Sequence, residues 1–146
     1  WSSDVCSSDL SAQLEQIESV ADHIVGLSLA VEHKRMCVKV GDGAPLIRDR
    51  IINQLILRGI ETLEVNEYRT SQGSRIKTHL HAATRIALMG GSRVHHIREL
   101  NPTEGDLKEI QRQSRIMSLG NLTISTELAR LVANGELSME DAIKRA

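Results

Sequence analysis

Met36-Cys-Val-Lys-Val40, followed at once by Gly41-Asp-Gly-Ala-Pro45 and then by Leu46, Ile47, Ile51, Leu55 and Ile56, is the stretch that decides the fold. A short β-type run breaks at a glycine turn, a Pro stands near the start of a helix, and apolar residues recur at three- and four-residue steps up to Gly59. Strand, turn and glycine-capped helix are expected in that order. The alternation then repeats. Ile60 to Tyr68 reads as a second strand and Arg69-Thr-Ser-Gln-Gly73 as a polar turn. Ile76, Leu80, Ala83, Ile86 and Ala87 give the buried face of a helix closed by Gly90-Gly91, and Val94 to Leu100 reads as a third strand. A β-α-β-α-β order with short connections marks a small layered domain, and the handedness rule for crossovers makes strands that are neighbours in one sheet parallel.

Helices flank this block on both sides. Upstream, Leu14, Ile17, Val20, Ala21, Ile24, Val25 and Leu27 keep helical spacing to about Leu29. Downstream of Pro102, Thr103 stands before Glu104 and Asp106 as an N-cap, with Leu107, Ile110 and Ile116 as the apolar stripe. Leu119-Gly120-Asn121 stops that helix. A second one carries Ile124, Leu128, Leu131 and Val132 and turns at Asn134-Gly135, and a last short helix starts at Ser138 with the spacing of a capping box to Asp141. The fold class expected is therefore α+β: a leading helix over residues 11–33, a basic β-α-β-α-β domain over 34–100, and a helical hairpin tail over 101–146.

Residues 1–10, Trp1-Ser-Ser-Asp-Val-Cys-Ser-Ser-Asp-Leu10, read as the conceptual translation of a sequencing adapter, an artefact that would leave the natural N-terminus unknown. Setting them aside removes the only Trp and one of the two Cys, so the core must be aliphatic and Tyr68 is the one aromatic left. A single ring argues against base-stacking platforms for single-stranded nucleic acid. No apolar run approaches the roughly 20 residues that cross a bilayer, so no membrane insertion is expected. Cys37 alone forms no internal disulfide, and a cytoplasmic setting is the default expectation. Charge is uneven: Lys34 to Leu100 holds twelve Lys or Arg against six Asp or Glu, a net of +6, while Ser11 to His33 is −4 and Asn101 to Ala146 is −1.

Candidate chemistry is sparse. His79, His81, His95 and His96 with Cys37 form a nominal N/S ligand set. Positions two apart point roughly 200° away from each other around a helix, and neighbours on a strand face opposite sides, so neither pair chelates and no metal is expected. Cys37, inside an apolar strand, is expected in the core. Gly41-Asp-Gly-Ala-Pro45 lacks the Lys and hydroxyl of a phosphate-binding G-x-x-x-x-G-K-[ST] loop and carries Asp42 where an anion would sit. The turn from Arg69 to Arg75 is different. Arg69, Arg75 and Lys77 gather beside a helix start, and with Arg48 and Arg50 they are the candidates for phosphate or nucleic-acid backbone. No catalytic residue is assigned, because no Ser-His-Asp, Cys-His or paired-carboxylate order stands out.

Two resemblances bear on function. Ser118-Leu-Gly-Asn-Leu-Thr-Ile-Ser-Thr-Glu-Leu-Ala-Arg-Leu-Val-Ala-Asn-Gly-Glu-Leu-Ser-Met-Glu-Asp-Ala142 resembles, without a gap, the C-terminal end of type IV pilus retraction and type II secretion motor ATPases. Gly120, Thr123, Leu128, Leu131, Val132, Gly135, Ser138 and Ala142 fall on that family's fixed positions, and Gly90-Gly-Ser-Arg-Val94 with Glu99 is similar to its G-G-x-R-V segment. Asn121 and Ser125 stand where the family has Met and Asp, and its acidic Walker B segment and T-L-H-T histidine box have no counterpart here. The middle, from Val38-Lys-Val-Gly-Asp-Gly-Ala-Pro45 onward, resembles Alba-like nucleic-acid-binding domains in the order of its elements, without the lysines that family places in its first turn.

The first resemblance implies the non-catalytic C-terminal region of a motor ATPase, with subunit or partner contacts through Leu128, Leu131, Val132 and Leu137. ATP and Mg2+ would enter only through a nucleotide site elsewhere, and the chain itself is expected to hold no cofactor. A homo-oligomer or a protein partner follows. The second implies a standalone dimeric module on nucleic-acid backbone.

Overall fold

A computed structural model describes residues 10–30, 36–66 and 79–146, with only the backbone described at 11, 12 and 79–82. The described residues divide into two compact units, one made by Ile17–Glu99 and the other by residues 10–16 with Leu100–Ala146. The chain is α+β, with a leading helix, a small three-stranded mixed sheet and C-terminal helices.

The first unit takes most of α1 (Leu10–Ala30), then β1 (Cys37–Gly41), α2 (Pro45–Leu57), β2 (Glu61–Val65), α3 (His79–Leu88) and β3 (Ser92–Val94). Helix α2 starts as its sequence demands: Pro45 occupies the first turn, where a missing N–H costs nothing. It ends where the amide of Gly59 bonds to Ile56 and that of Ile60 reaches back to Leu55, with Gly59 at φ 74° in the left-handed region that favours glycine. Leu46, Ile47, Ile51 and Leu55 are buried, as their spacing predicts, and Ile52 joins them. Leu14, Ile17 and Ala21 are the buried stripe of α1, while Leu27 beyond them is exposed.

The sheet order is β1-β2-β3. β1 runs parallel to β2 with Val38 opposite Thr62 and Val40 opposite Glu64, the relation expected across a helical crossover. Because alternate side chains point to opposite faces, Thr62 and Glu64 share one face and Lys39, Leu63 and Val65 the other. Helix α2 lies on the first, where Glu64 meets Arg48. The C-terminal end of α3 lies on the second, where the Lys39 ammonium donates to the carbonyls of Ala87 at 2.7 Å and Met89 at 2.6 Å.

The third strand departs from expectation twice. It covers Ser92–Val94 rather than Val94 to Leu100, and it pairs antiparallel with β2, Ser92 opposite Glu64 and Val94 opposite Thr62. The reason is local. Gly90-Gly91 delivers the chain to the carboxyl end of β2, and from there it can pair only by running back along it. Gly91 permits the approach, since a Cβ there would lie 2.8 Å from the Glu64 carbonyl oxygen. Two burial expectations are not met among the described residues: on α3 Ala83 and Ala87 are exposed and Ile86 is half-buried, Ile76 and the Leu80 side chain lying outside the described residues, and Cys37 is exposed, because it opens the edge strand instead of lying in the middle of the sheet.

The second unit holds α4 (Glu104–Met117), α5 (Thr126–Asn134) and α6 (Met139–Arg145). Its caps follow the sequence. Thr103 Oγ1 accepts from the Asp106 amide at 3.1 Å while the Asp106 carboxylate accepts from the Thr103 amide at 3.0 Å, a full capping box. Ser125 and Ser138 cap α5 and α6 through the amides of Leu128 and Asp141. Ile124, expected inside the second helix, precedes it as a buried loop residue. Both of its backbone groups are satisfied by α4: Ser114 Oγ accepts from the Ile124 amide at 3.1 Å and Gln111 Nε2 donates to its carbonyl at 3.0 Å. Ser114 is itself buried and its hydroxyl donates a hydrogen bond to the Gln111 carbonyl, so the loop enters the core with no orphaned polar group.

Candidate functional site

The two described arginines of the phosphate-binding set are engaged inside the first unit. Arg50 on α2 is only 5% exposed and pairs with Glu18 of α1 at 3.2 Å. Burial pulls its guanidinium below the ordinary value, and Glu18 offsets this in part. Arg48 pairs with Asp49 at 2.8 Å and with Glu64 at 3.2 Å. Arg98 joins the same two carboxylates, reaching Asp49 at 3.0 Å and also bonding Glu64. Burial works to raise the Asp49 carboxyl, but the hydrogen bonds from Arg48 and Arg98 outweigh it, so Asp49 sits below its ordinary range. Arg48 is raised, chiefly by its bond to Asp49. Arg58 with Asp22 and Arg93 with Glu61 continue the pattern. The positive charge of the middle segment thus serves largely as internal pairing among the described residues. Arg69, Arg75 and Lys77 lie outside the described residues.

Of the nominal ligand set, Cys37, His95 and His96 have described side chains. His95 and His96 follow β3 instead of lying on it, are both exposed, and hold their ring centroids 6.4 Å apart at 58°. His79 and His81 belong to α3. Among the described residues no group of three or more His, Cys, Asp or Glu is placed to hold a metal ion.

Of the four contact leucines and valines expected in the tail, Val132 is buried in the bundle, and Leu128, Leu131 and Leu137 are half-buried. Leu128, Leu131 and Val132 share the inward stripe of α5, and Leu137 lies in the turn between α5 and α6. Within the tail, the exposed large apolar side chains lie instead at the α4–α5 turn. Ile116 is 54%, Met117 50% and Leu119 89% exposed, although helical spacing had placed Ile116 on the buried stripe of α4.

The backbone of that turn sets it apart. Helices α2, α4 and α5 end alike, with paired bonds from the two residues after the last turn: Gly59 and Ile60, Leu119 and Gly120, Gly135 and Glu136. The first of each pair takes the left-handed conformation, at φ 74°, 56° and 80°. In α2 and α5 it is glycine. In α4 it is leucine, with glycine one position late at Gly120. A leucine there costs roughly 1–2 kcal/mol in backbone sterics. Here that cost accompanies a side chain left in water. The sequence carried a signal that reading for helix stops alone had passed over, namely Leu119-Gly120 where Gly at the first position would have been expected.

Residues 103–146 match a family model described as a three helical bundle domain, which spans α4, α5 and α6 and begins at the Thr103 cap. No curated protein and no solved structure matches the chain.

Proposed function

We propose that this chain is a non-catalytic contact region of the kind that closes pilus- and secretion-type motor ATPases, and that its helical tail makes the contact with a second copy of itself. The observation that carries this is the Ile116-Met117-Leu119 ledge, a set of exposed apolar side chains presented by a strained turn on a bundle whose core is already filled by Leu107, Ile110, Ile124, Ala129, Val132 and Met139. Backbone strain retained at an exposed apolar residue is a mark of a recognition site. The match to a helical-bundle family supports treating the tail as a module in its own right. ATP and Mg2+ belong, in this reading, to a nucleotide site for which this sequence carries no phosphate-binding loop.

Leu119→Gly tests it, because the two consequences have opposite signs. Glycine relieves the left-handed conformation, so the variant is expected to be more stable by about 1 kcal/mol, and it removes the apolar knob, so self-association followed by sedimentation velocity from micromolar to submillimolar concentration is expected to weaken. A parent chain that stays monomeric throughout that range would remove the second copy as the partner. A nucleic-acid-binding function is the less favoured reading, since Arg48 and Arg50 are committed to carboxylates and the interaction would rest on Arg69, Arg75 and Lys77.

A further inference from the structure

Between β3 and the helical tail, residues 95–99 form neither helix nor strand, and the side chains of His95, His96, Ile97 and Glu99 are exposed. Among the described residues, no backbone-to-backbone hydrogen bond outside the sheet holds this segment. Among the described residues, one fastens it. The Arg98 amide donates to Asn53 Oδ1 at 2.7 Å, and Asn53 Nδ2 donates to the Arg98 carbonyl at 2.9 Å, so the Asn53 side chain supplies the two bonds that a neighbouring strand would otherwise supply. The Arg98 guanidinium adds its ion pairs to Asp49 and Glu64.

Those anchors are unlike in character. Asn53 is 8% exposed on α2 and belongs to the body of the unit. Arg98, Asp49 and Glu64 are 29%, 17% and 23% exposed, near enough to solvent for water and salt to compete. When Arg98 departs, the network behind it keeps its logic: Arg48 still neutralises Asp49 and Glu64, and the amide of Asn53 meets water. Opening therefore strands no buried charge, which is what makes the strap separable from the unit beneath it.

We propose that residues 95–99 are a releasable strap, latched by the single residue Arg98 in an Asn53, Asp49 and Glu64 seat, which opens as a unit while α2 and β2 stay folded and so lengthens the free chain ahead of α4. Local opening of this kind is the property of segments with few apolar contacts and one polar anchor.

Limited trypsin digestion of the full chain reads it directly, because cleavage after Arg98 needs that residue out of its seat, whereas cleavage after Arg48 or Arg50 needs α2 to unfold. Two variants are used: Asn53→Ala, which removes the backbone clasp, and the double change Asp49→Asn with Glu64→Gln, which keeps shape and removes charge. The expected result is cleavage after Arg98 at least about tenfold faster in either variant, equivalent to about 1.4 kcal/mol of latch, with the α2 sites cut at the parent rate. The strap is overturned if, in both variants, cleavage after Arg98 is unchanged or rises only in step with cleavage in α2.

Discussion

At Gly91 the absence of a side chain is a packing requirement. A Cβ would stand 2.8 Å from the Glu64 carbonyl oxygen, 3.1 Å from Leu63 Cβ and 3.2 Å from Val65 Cγ2, and the first of these neighbours is backbone that cannot swing aside. Gly91→Ala must therefore push β2 and β3 apart, at a cost of about 1–3 kcal/mol, measurable as a lower urea midpoint. A midpoint unchanged within about 0.5 kcal/mol would mean the strand pair yields freely. Neighbouring Gly90 meets nothing within 4 Å, so Gly90→Ala is the matched control. Leu119 is the opposite case, a side chain present where backbone geometry favours none, and it directs attention to function because packing offers no reason for it. Both positions could be named from the sequence, as one of a Gly-Gly pair and as the residue before a helix-stopping glycine. Which of them was constrained, and by what, depended on atoms far along the chain.

Elements whose ends are fixed by their own residues were legible. Pro45 and Gly59 bracket α2, and Thr103, Ser138 and Gly135 begin or end the tail helices as their types dictate, because capping is settled within one turn. The box at Thr103 satisfies two amides at once. Thr103→Ala is accordingly expected to lower the thermal stability of the tail by about 1–2 kcal/mol, and restoration by Thr103→Ser would tie the loss to the hydroxyl. An alanine variant that melts with the parent would show that the cap adds nothing to the packed bundle. The third strand was not legible in this way. Apolar character from Val94 to Leu100 suggested a ladder, but a strand exists only where a neighbour offers free groups, and beyond Val94 that neighbour is one Asn53 side chain.

Across the whole molecule the charges divide by use. The middle segment's excess of Lys and Arg looked like a surface for polyanions, and among the described residues the fold pairs much of it with Glu18, Asp22, Asp49, Glu61 and Glu64. Two carboxylates mark what acid should do. Asp49 is lowered as described, and Glu109 is lowered chiefly by its hydrogen bond from Arg112, against burial and with help from Gln113. A folded pKa below the unfolded one adds stability that is present above the ordinary carboxylate value and is lost as pH falls through the folded value. Stability should thus hold down to about pH 4 and fall below it, and Asp49→Asn should flatten that acid limb in chemical denaturation at several pH values. An acid limb identical in Asp49→Asn and parent would assign the loss to other groups. The sequence by itself determined what local physics decides: the α+β class, the helix ends at Pro45, Gly59, Thr103, Gly135 and Ser138, the aliphatic core and, among the described residues, the lack of any helix long and apolar enough to cross a membrane. Only the tertiary structure decided the direction and length of β3, the exposure of Cys37 and Ile116, and the burial of Arg50, because pairing, burial and charge compensation are properties of neighbours brought together from distant parts of the chain.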